Sequence, residues 1–234
     1  MVLFLCLKLN AQTESESKDK EISIQEPKLV VPGNFSSPPS DAIVLFDGKD
    51  FTKWQHSKTR KPVKWKLNSD KSMTIKPGTG SIETKEEHGS IQLHIEWKSP
   101  IENEGEGQTR GNSGIIFQAR YEVQVLNSYQ NKTYPDGQAG SIYSQHVPLV
   151  NAMRPTGEWQ VYDIIFNTPK YDDKGVIVKP GNFIVLHNGV IIQNAVEING
   201  PTLGIDKGTR KVLVLQDHDK NGSVSYRNIW MRRI

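Results

Sequence analysis

The sequence predicts an all-β protein built from two antiparallel sheets packed face to face, and three observations carry that expectation. Short runs rich in β-branched, aliphatic and aromatic residues recur along the chain. Turn residues separate them, with 19 Gly and 13 Pro among 234 residues. No segment shows the apolar period of about 3.6 residues that marks a long amphipathic helix. A chain of this length can bury one substantial core, and all-β sandwiches of roughly 200 residues fold as single domains.

The strand-like runs occupy residues 43–46, 64–67, 81–85, 91–97, 114–118, 121–126, 159–166, 183–190, 212–216 and 224–231. In Ile91-Gln92-Leu93-His94-Ile95-Glu96-Trp97 the alternation is strict, which puts the apolar side chains on a core and Gln92, His94 and Glu96 together on the other face. Asn188-Gly189, flanked by Val185-Leu186 and Val190-Ile191-Ile192, signals a two-residue hairpin, because both turn positions tolerate positive φ.

The N-terminus has a different character. Leu3, Phe4, Leu5 and Leu7 surround Cys6, and Asn10-Ala11-Gln12 follows in the manner of a signal-peptidase site. Residues 1–11 are therefore expected to be a signal peptide, shortened at its start because no basic stretch precedes the apolar run. The run falls short of the roughly 20 residues needed to span a bilayer, so no transmembrane span is expected. Export to the periplasm or the exterior follows. Anchoring through Cys6 as a lipoprotein ranks second, since Phe4 and Leu5 are larger than the small residues such a site prefers. Cys6 is the one cysteine, so removal of the leader leaves neither disulfides nor a thiol nucleophile. Residues 12–40 are polar, charged and Pro-rich, as in Ser36-Ser37-Pro38-Pro39-Ser40, and are expected to form a disordered linker. The folded domain is expected over residues 41–234.

Several function classes lose support at this stage. The 29 basic and 26 acidic residues leave a net charge of +3 and are not gathered in blocks; nucleic acid is not expected as a partner. The chain has no internal repeat, no GxGxxG or GxxxxGK[ST] phosphate loop, no HExxH and no GxSxG elbow. Its six histidines are dispersed, so any metal site would have to be assembled from distant strands.

Two places carry candidate chemistry. In Tyr121-Glu122-Val123-Gln124-Val125, Glu122 and Gln124 share one face and the valines the other. A carboxylate beside an amide suits sugar hydroxyls, and the carboxylate can also move protons; a solvated outer face would explain the pattern equally well. In Leu215-Gln216-Asp217-His218, Gln216 and His218 share a face. His218 suits a base, a metal ligand or a turn-stabilising residue, the last being the commonest use of a lone histidine.

Taken in order, a set of motifs resembles the 3-keto-disaccharide hydrolase family. They are Leu45-Phe46-Asp47-Gly48-Lys49 with Trp54, Gly111-Asn112-Ser113-Gly114-Ile115, Tyr121-Glu122-Val123-Gln124-Val125, and Asn131-Lys132-Thr133-Tyr134-Pro135-Asp136-Gly137-Gln138-Ala139-Gly140. Gly157-Glu158-Trp159-Gln160-Val161-Tyr162-Asp163-Ile164, Leu186-His187-Asn188-Gly189-Val190, Gln216-Asp217-His218 and Arg227-Asn228-Ile229-Trp230 complete it. The resemblance implies a concanavalin-like jelly roll with a concave carbohydrate-binding face, a glycoside or oligosaccharide substrate, and cleavage of glycosides already oxidised at C3. A C3 ketone acidifies the C2 proton, so a base can remove it and expel the C1 substituent, with water adding afterwards. That route needs a base, an acid and a group that steadies the enolate. By the resemblance, Glu122 and His218 are the proton-transfer candidates, and Gln124, Gln138, Tyr143, Asp163 and Arg227 the sugar or enolate contacts. No cofactor is firmly implied, and a divalent metal ion stays open.

The sequence departs from the family pattern at Asn127, where Asp is common, and at Asp219, where Gly is usual. Two other functions are compatible with the same sandwich. One is a non-catalytic carbohydrate-binding module. The other is a conventional glycosidase, which needs a second carboxylate at about 5 to 9 Å from Glu122, with Asp163 the residue to place.

Overall fold

The computed structural model describes residues 26–34, 37–102, 105–174, 176–202, 210–218 and 223–234. The expected signal peptide, Cys6, the first part of the expected linker and Asp219 lie outside them. The chain divides into two units, Met1–Val30 and Val31–Ile234. Of the first, residues 26–30 are described and carry no strand.

The second unit is the expected all-β sandwich. Its larger sheet has eight strands: β1 (Ile43–Phe46), β3 (Lys66–Leu67), β4 (Met73–Thr74), β6 (Ile91–Lys98), β9 (Gln160–Asn167), β12 (Asn182–His187), β13 (Val190–Glu197) and β15 (Ser225–Arg233). They run in the order β13-β12-β9-β6-β15-β4-β3, with β1 also paired to β15. The five-stranded sheet contains β2 (Trp54–His56), β5 (Ile82–Glu87), β7 (Ser113–Phe117), β8 (Tyr121–Val125) and β14 (Val212–Leu215), in the order β2-β5-β14-β7-β8. A separate ribbon pairs β10 (Lys170–Tyr171) with β11 (Ile177–Lys179). Among the described residues no helix is long and apolar enough to cross a membrane.

Period-two patterning decides which side chains meet between the sheets. In β6, Ile91, Leu93, Ile95 and Trp97 are fully buried while Gln92, His94, Glu96 and Lys98 are half-buried on the opposite face. β9 repeats the arrangement, with Tyr162, Ile164 and Phe166 inside and Val161, Asp163 and Ile165 outside. From the facing sheet, Phe117 brings its ring centroid to 5.1 Å from both Phe166 and Phe183. Each such buried side chain contributes about 1.5–3 kcal/mol through removal from water. Two tyrosines of the larger sheet also bond across the core, Tyr162 Oη to the carbonyl of Gln124 at 3.1 Å and Tyr226 Oη to Ser113 Oγ at 2.7 Å. The β12–β13 hairpin closes as its sequence requires, with His187 opposite Val190 and φ of 53° at Asn188 and 82° at Gly189.

β15 contains a feature that the alternation of its sequence does not show. Arg227 pairs with Glu96 and Trp230 with His94, so the register slips between them. Asn228 takes φ of 47° and forms the bulge. As a result Arg227, Asn228 and Trp230 all point away from the core, while Tyr226, Ile229 and Met231 are buried in it.

The compact unit starts at Val31, earlier than the boundary expected at residue 41. Residues 31–34 and 37–40 lie against one another: Val31 N donates to Ser40 Oγ, Ser40 N donates to the carbonyl of Val31, and Asn34 pairs with Ser37. Their polar, Pro-rich composition is met by turn hydrogen bonds rather than by burial of apolar surface.

Candidate functional site

The structure divides the sequence-derived candidates between the two outer faces of the sandwich. Glu122, Gln124, Gln138, Tyr143 and His218 belong to the five-stranded sheet and its loops, whereas Asp163 and Arg227 lie on the outside of the larger sheet. Glu122 and Asp163 each alternate with core residues, so the core separates them. They do not form the carboxylate pair of a conventional glycosidase.

Glu122 and Gln124 keep the shared face that the sequence assigns them, but they are closed off, at 5% and 1% exposure. The register explains the room available to the carboxyl. β7 and β8 pair Ile116 with Glu122 and Gly114 with Gln124, and the Glu122 side chain leans diagonally over Gly114, where a Cβ would stand 2.1 Å from Oε1. The cover comes from the loop that follows β8. Tyr143 N donates to the carbonyl of Glu122, Gln124 N to that of Ser141, and Gly140 N to that of Gln124, which seals the edge of β8.

A group of amides extends beside the carboxyl. Gln124 Nε2 donates to Gln108 Oε1 at 2.9 Å, and Asn112 Nδ2 donates to the same oxygen at 3.3 Å. Gln108 Nε2 in turn donates to Thr133 Oγ1 and the carbonyl of Gly137. The Asn112 Oδ1 and Gln216 Oε1 atoms are buried without a hydrogen-bond partner, and Gln216 neighbours Gly114 through its backbone N–H. The Tyr134 and Tyr143 hydroxyls meet at 2.5 Å. Burial, the Tyr143 hydroxyl and the negative charges of Asp136 and Glu122 all push the Tyr134 phenol above its ordinary range.

Among the described residues Glu122 makes no side-chain hydrogen bond or ion pair. Burial alone acts on it and raises its pKa to about 7. His218 stands two residues beyond Gln216, past the end of β14, and is exposed. Gln138 lines a cleft of about 210 Å³ with Thr133, Pro135, Val147, Pro148 and Asn151, which Glu122 does not line; its Oε1 is buried without a partner. Asn127, one of the two departures, is fully buried. Its carboxamide bonds Thr156 Oγ1 and accepts from Tyr129 N, so it fixes the turn after β8.

On the other outer face, His94 Nδ1 lies 2.7 Å from Asp163 Oδ1, and Asn228 Nδ2 lies 3.3 Å from His94 Nε2 and donates to Glu96 Oε1 at 2.8 Å. Arg227 Nε donates to Glu96 Oε2 at 2.6 Å and places its guanidinium 4.0 Å from the centroid of the Trp159 ring. Burial opposes the charge on His94, but the hydrogen bonds and charges of Asp163 and Glu96 outweigh it and raise the pKa to about 9. Burial likewise opposes the Glu96 charge, and His94, Asn228 and Arg227 outweigh it, holding the carboxyl at about 2. Among the described residues no group of three or more His, Cys, Asp or Glu side chains is arranged to hold a metal ion.

Comparison with known proteins settles the relationship. The sequence model of the 3-keto-alpha-glucoside-1,2-lyase-like domain matches residues 41–232. The chain belongs to that family. A candidate glycosyl hydrolase from Parabacteroides distasonis is similar to it at 42% identity and a TM-score of 0.85, over 92% of this chain and 95% of that one. Two further candidate glycosyl hydrolases from the same organism share the fold. They are 21% and 18% identical, with TM-scores of 0.60 and 0.56, and cover 83% and 82% of this chain and 94% and 99% of their own. No curated protein matches the sequence. The two stacked sheets and these likenesses bear out the concanavalin-like jelly roll.

Within the 3-keto-alpha-glucoside-1,2-lyase-like family frame, the motifs around Asn112, Glu122, Tyr134, Tyr143 and Gln216 draw together, although they lie far apart in sequence. Gln108, His94, Glu96, Asn228 and Trp230 are not among the candidates named from the sequence. For His94 and Glu96 the shared parity with Gln92 is a visible signal. The bulge that turns Asn228 outward has none.

Proposed function

We propose that this chain is an exported enzyme that cleaves 3-keto-glycosides, with Glu122 as the base that removes the C2 proton. Membership of the 3-keto-alpha-glucoside-1,2-lyase-like family and the 42% identity to a candidate glycosyl hydrolase support the substrate class. The observation that carries the reading is the Glu122 carboxyl itself. It is buried and unpaired among the described residues, and its pKa of about 7 leaves it able both to accept a proton and to return one near neutral pH.

In the proposed reaction the C2–H bond breaks, its proton passes to a Glu122 oxygen, and the electron pair delocalises onto the C3 oxygen as an enolate. The enolate then expels the C1 oxygen, which takes a proton from His218 and departs as an alcohol. A C1=C2 double bond conjugated with the ketone remains. Water then adds its oxygen to C1 as its proton passes to His218, and C2 takes a proton back from Glu122 after that carboxyl has exchanged with solvent, giving the free 3-keto sugar and restoring both groups. The Tyr134–Tyr143 hydroxyl pair and the Gln124, Gln108 and Asn112 amides are assigned to hold the sugar oxygens and steady the enolate. No second carboxylate is needed, in accord with Asp163 lying on the opposite face.

The test is a comparison of a 3-keto-glucoside with its unoxidised parent, each incubated with the purified protein with and without chelator. Cleavage of the keto compound alone is expected. Binding of both without cleavage of either would instead assign a carbohydrate-binding module.

A further inference from the structure

We infer that the outer face of the larger sheet holds a second saccharide site, distinct from the Glu122 carboxyl on the other sheet, which takes a neutral sugar unit between Gly33, Asn34, Ser37 and Pro39 and the His94–Asp163 pair. A cleft of about 670 Å³ opens there, with His94, Glu96, Asp163, Asn228 and Trp230 on its floor and Gly33, Asn34, Ser37 and Pro39 as its wall. That volume falls in the ordinary range for small-ligand clefts. A second cleft of about 510 Å³ shares Glu96, Asn228 and Trp230 with it, so Trp230 borders both.

The chemistry of the floor selects the ligand. His94 and Arg227 are cations and Asp163 and Glu96 anions, interlocked by the hydrogen bonds already described, so the charges cancel and favour neither an anionic nor a cationic guest. Among the described residues only Oδ1 of the Asp163 carboxylate is engaged, by His94, and the Asp163 side chain is 40% exposed. Its second oxygen is therefore available to accept from a hydroxyl. Trp230 stacks on His94 with ring centroids 5.1 Å apart and planes 9° apart, which holds the indole rigidly beside that carboxylate. A carboxylate acceptor next to a fixed aromatic surface matches a pyranose, with its hydroxyl edge and apolar ring face.

The cleft is also preformed. Arg232 grips Asp41 through two bonds, Nε to Oδ1 at 2.7 Å and Nη2 to Oδ2 at 2.8 Å, at the point where residues 31–40 join β1. This wall lies outside the residues matched by the family, 41–232. On the floor, the Asn228 bulge brings the carboxamide and Trp230 to the same side. A saccharide bound there would tether the enzyme to a glycan while the opposite face does the chemistry.

The experiment measures binding of maltotriose, cellotriose and laminaritriose to the wild-type chain by calorimetry, alongside turnover of a 3-keto-glucoside. At least one trisaccharide should bind saturably. Asp163→Asn should weaken that binding by about 10-fold or more, the cost of losing a hydrogen bond to a charged acceptor. Val161→Trp, which fills the cleft from beside Glu96 and leaves every charged group of the network in place, should abolish it. Both variants should turn over the 3-keto-glucoside as the wild type does. Binding that survives Val161→Trp, no binding of any trisaccharide, or loss of turnover in Val161→Trp with an unchanged melting temperature would each overturn the inference. The binding measurement stands whether or not the 3-keto-glucoside proves to be the substrate.

Discussion

The Glu122 carboxyl occupies the space that a side chain on Gly114 would fill, with Oε1 2.1 Å from the position of a Cβ. Gly114 is thus required by close approach rather than by an unusual backbone angle. Gly114→Ala should push the carboxyl aside while leaving the β7–β8 ladder paired. Turnover should fall by about 10-fold to 100-fold, as a displacement of about 1 Å at a reacting group costs, with only a small change in melting temperature. Kinetics and thermal unfolding of the variant check both parts. Full activity in Gly114→Ala would mean that the position of the carboxyl is not critical.

A raised carboxyl also leaves a mark on stability. The folded state holds the Glu122 proton up to about pH 7, whereas an unfolded chain releases it near the ordinary value of about 4.3. Between those values the native state binds more protons than the unfolded one, so Glu122 makes stability fall as pH rises, with the full penalty present above about pH 7. Glu122→Gln should therefore be more stable than the wild type at pH 8, by an amount on the order of a few kcal/mol, and the difference should vanish near pH 4. Denaturant unfolding at the two pH values measures it. For activity, the same ionisation predicts that kcat/KM rises through about pH 7 as the base becomes charged.

The His94 network behaves in the opposite sense. With a native pKa of about 9, His94 should stay an imidazolium at neutral pH, and the stability it contributes should be fully present below about pH 6.5 and lost as pH rises through 9. Glu96, held at about 2, keeps its contribution above its ordinary value and loses it as pH falls toward 2. An NMR titration of the His94 ring should place its midpoint near 9, and Asp163→Asn should lower it. A midpoint at or below 6.5 in the wild type would show that the Asp163 bond does not dominate.

Much of the fold was legible because period-two patterning and turn chemistry are local. The strand from Ile91, the Asn188-Gly189 hairpin and the shared face of Glu122 and Gln124 all appear where the residues place them. Parity, however, assigns a side chain to a face without saying which sheet or which side of the core that face belongs to. The family resemblance, which grouped Asp163 and Arg227 with Glu122 by motif, carries no such information either, and the sandwich separates them. The closure over Glu122 depends on Tyr143 and Ser141 docking on the edge of β8, a contact of the folded chain rather than of any local pattern. The Asn228 bulge reverses the parity of β15 at one residue, and residues 31–34 and 37–40 look like linker because turn hydrogen bonds rather than a strand pattern hold them.

The measurement that tests the central claim most directly is the deuterium content at C2 of the sugar released from a 3-keto-glucoside in D₂O, by the wild type and by Glu122→Gln, against an enzyme-free control. Elimination followed by hydration should place solvent deuterium at C2 with the wild type. Glu122→Gln should still bind the substrate but release product about 10²-fold or more slowly, the loss expected when a general base is removed. Release of sugar without deuterium at C2, or undiminished turnover by Glu122→Gln, would contradict the assignment of Glu122 as the base.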